Sequence, residues 1–211
     1  MIGRKWTNRT VLMSADFVED PTLHRDDHGL FLYYSRGPHL QDQRIHYRRA
    51  ETPRGPLGEE RRSGIGDTHT RIERARVWDD QWLHTASWPG PPTGGIMAFG
   101  RNAWGTTRSL VLTVQPGTGW SFIAANPCVE RRADGTVDII FEGCTDKRCH
   151  WRLFLAHWTP GSMAVVEPEP LMDGANPSTF VENGTRYLTY SRLTDAGYSA
   201  GFETCVMEQP A

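Results

Sequence analysis

The chain has 211 residues and a formal net charge of −2, enough for one substantial core or two small ones. Its arginines are scattered and interleaved with Asp and Glu, which leaves no electrostatic footprint for nucleic acid or for an anionic membrane surface. No run of 18 apolar residues reads as a membrane span, and the N-terminal "MIGRKWTNRTVLMSADF" has no apolar stretch of the length a secretory signal needs.

In chain order, an isolated strand-like run, "RTVLMSA" (9–15), comes first. Four hairpins follow. "PTLH" and "GLFLYYSRG" (29–37) flank Asp27-His28-Gly29; "RARVW" and "QWLHTASWPG" (81–90) flank Asp79-Asp80. "PCVE" and "TVDIIFEGC" (136–144) flank Asp134-Gly135; "PSTFV" and "TRYLTYSRL" (185–193) flank Asn183-Gly184. Asn-Gly and Asp-Gly tolerate the positive φ that tight hairpins require. Each hairpin precedes a third strand: "RIHYRRA" (44–50), "GIMAFGRN" (95–102), "WRLFLAHW" (151–158) and "AGFETCVM" (200–207). Fourth strands are read at "SLVLTVQ" (109–115) and "AVVEPEP" (164–170), with a weaker pattern at 57–66.

The pattern recurs. Its starting positions are Asp20, Glu73, Asn126 and Asn176, at steps of 53, 53 and 50 residues. A repeated four-stranded unit of this size predicts an all-β protein, a β-propeller of four visible blades. The single domain spans 1–211, with units near 16–67, 68–120, 121–172 and 173–211, and residues 9–15 complete the last blade and remove an open edge. Five blades, the fifth drawn from 51–68 and the termini, is the alternative. A β-sandwich also has closely spaced strands, but the internal repetition argues against it.

The residues that carry the repeat resemble a known family. "EDPTLHRDDHGLFLYYSRG", "RIERARVWDDQWLHTASWPG", "ANPCVERRADGTVDIIFEG" and "ANPSTFVENGTRYLTYSRL" resemble the blades of the propeller glycoside hydrolases of families 43 and 32 and of the related family 130. "RIHYRRAETPRGP" resembles their third strand. The resemblance runs from about residue 15 to 207, and the chain is shorter than a five-bladed catalytic domain by about two blades at ~40–45 residues each. It implies an inverting glycosidase with Asp20, the Asp of "DP", as base and Glu73 as acid. The family's third carboxylate has no clear match; Asp16 and Asp67 are the substitutes considered.

First strands line a propeller's channel, so Asp20, Glu73, Asn126 and Asn176 are expected to converge on a polar pocket. Glycoside hydrolysis needs two carboxyls. Glu142 stands in a slot that holds Ser35, Ser87 and Ser191 in the other units and is a third catalytic candidate. Arg36 and Arg192, one residue past that slot, are candidates for an anionic substrate group. His69 and Arg71 flank the Glu73 strand, and Trp88, in the Pro- and Gly-rich loop "SWPGPPTGG", is a candidate lid that would stack on a sugar face.

The functional expectation is therefore an acid/base glycosidase acting on a glycoside or small oligosaccharide in the channel. The alternative is a repurposed propeller that binds a small molecule or catalyses a non-hydrolytic step such as a cyclisation or rearrangement. No cofactor and no metal is expected, since His24 and His28 in "HRDDH" straddle a hairpin turn. The partner is a small-molecule or carbohydrate ligand, without nucleic acid or membrane; homo-oligomerisation stays open. Cys128, Cys144, Cys149 and Cys205 read as reduced thiols, with a Cys144–Cys149 bridge as the alternative, and place the chain in the cytoplasm.

Overall fold

A computed structural model describes residues 1–15, 18–37, 44–63, 76–78, 81–85, 95–100, 108–145, 150–194 and 201–211. Among the described residues there is no α-helix, and hence none long and apolar enough to cross a membrane. The strands form four antiparallel sheets. The first contains β2 (Val18–Asp26), β3 (Gly29–Arg36), β4 (Arg44–Ala50) and β5 (Leu57–Arg62), in that order. The second contains β6 (Arg76–Trp78), β7 (Gln81–Thr85), β8 (Gly95–Gly100) and β9 (Arg108–Thr113). The third contains β10 (Ile123–Arg131), β11 (Val137–Cys144), β12 (Arg152–Trp158) and β13 (Val165–Val166), with β14 (Met172–Asp173) also paired to β12.

The fourth sheet contains β15 (Ala175–Glu182), β16 (Thr185–Leu193) and β17 (Phe202–Pro210), and its outer strand is β1 (Thr7–Ala15). The N-terminal strand thus completes the last unit, antiparallel to β17. Within the weak pattern at 57–66, Leu57–Arg62 is a full strand, β5.

Hairpin tips follow from local chemistry. Asn183 and Gly184 both have positive φ, 49° and 72°, as a two-residue tight turn requires. At the other two described tips an aspartate closes the turn: Asp26 Oδ1 accepts from the His28 N–H at 2.8 Å, and Asp134 Oδ1 from the Thr136 N–H at 2.9 Å.

The chain divides into two compact units, one of Met1–Arg4 with Glu73–Ala175, the other of Lys5–Ile72 with Asn176–Ala211. In the first, alternate residues of β11 and β12 (Val137, Ile139, Phe141, Phe154, Ala156, Trp158) pack with Ile96, Val111, Leu112 and Trp120. In the second, Leu30, Leu32 and Tyr34 of β3 pack with Val18, Leu23 and Ala50, and against Leu12, Met13, Phe180 and Tyr187 of the fourth sheet. Period-2 alternation accounts for both cores: one face of each strand is apolar and meets a neighbouring sheet. Cys128, Cys144 and Cys205 are buried thiols outside any disulfide; Cys149 lies outside the described residues.

The first unit is also tied by a buried charge. Asp138, on the face of β11 opposite that unit's core, accepts from the Ile2 N–H at 2.7 Å and contacts His157 Nδ1 at 2.8 Å and the Arg132 guanidinium. His157 Nε2 lies 3.1 Å from Glu167, which pairs with Arg4. The N-terminal tetrapeptide is thereby fastened to the third sheet.

Candidate functional site

Three of the four repeat starts are described, and all three share one backbone state. Asp20, Asn126 and Asn176 have φ of 59°, 48° and 55°. Left-handed backbone is strained for most residues and tolerated by Asn and Asp. Each is followed by proline, which disfavours the right-handed α region for the residue before it. In β2, the pairing steps from Glu19↔Ser35 to Thr22↔Tyr33, so β2 carries one extra residue there. In β10, it steps from Ala125↔Glu142 to Cys128↔Ile140 in the same way. The Asx-Pro pair is therefore a β-bulge, a device that re-aims one side chain out of the strand's alternation.

What the re-aimed side chain meets also repeats. Ser35 Oγ donates to Asp20 Oδ2 at 3.4 Å, and Asn126 Nδ2 donates to Glu142 Oε1 at 2.8 Å. Ser35 and Glu142 occupy the same slot on the second strand of their sheets. The repeat thus builds a two-residue device, an Asx on the bulge and a partner across the ladder. Glu142 is 5 % exposed and Asp20 partly so. In the fourth sheet the corresponding residues are Asn176 and Ser191, both buried.

Neighbouring packing holds these pairs. Pro21 O, one peptide beyond Asp20, accepts from Thr189 Oγ1 of β16 at 2.9 Å, and the same hydroxyl reaches Ser178 O at 3.2 Å. Thr189 is fully buried. Behind Glu142, Gly143 is required by close approach: a Cβ there would stand 2.7 Å from Trp120 Cβ and 3.1 Å from the Phe154 ring. Trp120, Phe141 and Phe154 form an edge-and-stack cluster with centroids 5.0–6.2 Å apart.

Both candidate arginines have carboxylate partners inside their own sheets. Arg36 Nη1 lies 2.8 Å from both carboxylate oxygens of Glu60. Arg192 Nε and Nη2 lie 3.0 and 2.9 Å from Glu203 Oε2. Glu60 also accepts from the Tyr34 hydroxyl at 2.6 Å, with His46 Nδ1 at 3.4 Å and Arg48 Nη2 at 3.6 Å. Burial pushes the Tyr34 phenol up to about 12, helped by the bond to Glu60. Burial raises the Glu60 carboxyl, but the bonds from Tyr34 and Arg36 outweigh it and hold the group below its ordinary value. Sequence reasoning missed Glu60, Tyr34, His46 and Glu203; only the polar alternation of "LGEERR" hinted at the first.

Glu73, His69, Arg71 and Trp88 lie outside the described residues, as do Asp16 and Asp67. Asp20, Asn176, Arg36 and Arg192 belong to the second unit, Asn126 and Glu142 to the first. Among the described residues no group of three His, Cys, Asp or Glu forms a metal-holding cluster.

No family model and no curated protein matches the sequence. Solved structures do match. The α-L-arabinofuranosidase of Lactobacillus brevis aligns over 90 % of this chain and 71 % of its own, with 13 % identity and a TM-score of 0.50. The fold is a β-propeller. The endo-arabinase of Bacteroides thetaiotaomicron aligns over 90 % of this chain and 74 % of its own (14 % identity, TM-score 0.49), and a thermostable family-43 glycoside hydrolase over 89 % and 69 % (14 % identity, TM-score 0.48). The resemblance to the propeller glycoside hydrolases drawn from the repeat holds at the level of fold, in a divergent form.

Proposed function

We propose that this chain is a glycoside-acting enzyme in which Asp20 is the general base and Glu73 the general acid of an inverting displacement. One observation carries the reading. Three sheets hold an Asx-Pro start in the same left-handed backbone state, and in two of them Asn adopts it. The carboxylate of Asp20 is therefore not needed for the bulge and is present for its charge. Ser35 Oγ donates to its Oδ2 at 3.4 Å.

In the reaction, that water attacks the anomeric carbon as Asp20 removes its proton, and the glycosidic C–O bond breaks as Glu73 protonates the leaving oxygen. Asn126, Asn176, His69, Arg71 and Trp88 would bind the sugar, with Glu142 as the reserve carboxylate. The fold-matched arabinofuranosidase makes aryl arabinofuranosides the first substrates to test. Buried thiols fit a reducing, cytoplasmic setting. A second reading, ligand binding without turnover, is favoured by Glu142, whose Oε1 is engaged by the Asn126 amide.

The test is release of aryl alcohol from a panel of aryl glycosides by the wild-type chain, Asp20→Asn and Glu73→Gln. Asp20→Asn installs the residue that the starts at 126 and 176 already use in the same backbone state, so its fold is preserved. Each variant is expected to lose ~10²–10⁴ of the turnover rate with binding retained. Full activity in both would overturn the assignment.

A further inference from the structure

Arg36, His46 and Arg48 lie on the face of the first sheet that also carries Leu30, Leu32 and Tyr34. Arg36, His46 and Arg48 all approach one carboxylate, Glu60. Arg44 stands opposite Arg36 in the ladder, and Arg62 opposite His46. Burial, with the field of Arg36 and Arg62 added, depresses the His46 imidazole below its ordinary value despite Glu60. The Glu60 carboxylate is gripped as a free carboxylate would be, with Arg36 Nη1 bridging its two oxygens and the Tyr34 hydroxyl donating to one of them. Arg48 Nε in turn donates to the Tyr34 oxygen at 3.1 Å, which orients that phenol. The His46 ring stacks on Tyr34 at 17°, and its buried Nδ1 makes no hydrogen bond.

The position matters as much as the charge. Val18 pairs with Arg36, and Arg36 with Arg44, so Arg36 stands at the end of the sheet at which β2 begins and Asp20 stands, and its side chain reaches inward to Glu60, which pairs with Arg48 in mid-sheet. The Arg36 and Glu60 side chains are 39 % and 23 % exposed, so solvent reaches the pair. Ion pairs that exposed are weak, so an incoming carboxylate can compete with Glu60 for the same donors.

We propose that Arg36, Arg48, His46 and Tyr34 form a carboxylate seat, occupied at rest by Glu60, that receives the acid group of a uronic-acid-containing glycoside. The inference rests on the glycoside reading above and extends it to a substrate class. Glu60 acts as an internal competitor: its side chain fills the seat until a sugar carboxylate replaces it.

Binding of methyl glucuronide and methyl glucoside, followed by calorimetry and by the imidazole NMR signals of His46, tests the proposal without requiring turnover. The glucuronide is expected to bind at least tenfold more tightly than the glucoside and to move the His46 signals. Glu60→Gln is expected to tighten glucuronide at least fivefold, and Arg36→Gln to weaken it at least tenfold. Arg25→Gln, which removes a remote surface pair with Glu182, is expected to leave both affinities unchanged. Circular dichroism confirms that each variant is folded. Equal affinities for the two sugars, or glucuronide binding indifferent to Arg36→Gln, would overturn the proposal. Hydrolysis of neutral glycosides without uronate preference would sink this inference alone; uronate binding lost in Arg36→Gln without any hydrolysis would sink the enzymatic reading alone.

Discussion

Thr189→Val tests whether the bulge that carries Asp20 is held from the neighbouring sheet. Valine matches threonine in shape, so the substitution deletes a hydroxyl and little else. That hydroxyl is buried and shares its proton between Pro21 O at 2.9 Å and Ser178 O at 3.2 Å. Pro21 has no N–H, and the bulge interrupts the ladder at this point, so its carbonyl has few other ways of being satisfied. Losing a net hydrogen bond costs ~0.5–1.5 kcal/mol, and a buried carbonyl left without a donor ~1–3 kcal/mol. The expected loss is about 1–3 kcal/mol, with a fall in Tm of ~2–4 °C per kcal/mol for a chain of this size. Urea and thermal unfolding measure it, with Thr189→Ser, which keeps the hydroxyl, expected to recover most of the loss. A Thr189→Val protein within ~0.5 kcal/mol of wild type, the scatter of neutral surface changes, would refute the anchoring role.

Two further perturbations probe the first unit. Gly143→Ala forces a methyl to 2.7 Å from Trp120 Cβ and onto the Phe154 ring, and is expected to cost ~1–3 kcal/mol by overpacking, read from the urea midpoint. Burial raises the Asp138 carboxyl, but the bonds from Arg132, the Ile2 N–H and His157 outweigh it and hold the group below its ordinary 3.8. A depressed carboxyl contributes stability that is full above its unfolded value and is lost as pH falls through the folded one. Wild type should therefore lose stability on acidification below about pH 4, and Asp138→Asn should be less stable at neutral pH and show a shallower loss in that window. Parallel slopes for the two proteins would contradict the assignment.

Much of the fold was legible because a blade is a local object. The Asn-Gly and Asp-Gly tips mark hairpins, period-2 alternation marks half-buried strands, and the Asx-Pro starts at 20, 126 and 176 mark the repeat. The strand at 9–15 completes the last unit, where β1 pairs with β17. The shared left-handed bulge was not foreseen, although its signal was present: proline after Asx disfavours the right-handed α region for the Asx residue. The side-chain partners were harder. Ile2 meets Asp138 across 136 residues, and Arg36 meets Glu60 across two ladders, the second shifted in register between Arg48 and Ala50. Such pairings depend on where bulges fall, which composition and periodicity do not encode.

The two described bulge pairs suggest a rule about charge. In the first sheet the carboxylate is on the bulge and a hydroxyl faces it; in the third an amide is on the bulge and a carboxylate faces it. Each pair holds one anion and one neutral donor, as expected where two carboxylates at hydrogen-bond distance would repel and raise one another's pKa. Ser35→Glu places a second carboxylate against Asp20, whereas Asp20→Asn with Ser35→Glu copies the arrangement of the third sheet. The bulk of the new glutamate is common to both proteins, so a double-mutant cycle isolates the charge term. The double variant is expected to be more stable than Ser35→Glu by at least ~1 kcal/mol at neutral pH, with the gap narrowing on acidification as one carboxylate of the pair takes up a proton. Strict additivity at neutral pH would show that the two positions do not sense each other, and the pairing of bulge and slot would lose its physical basis.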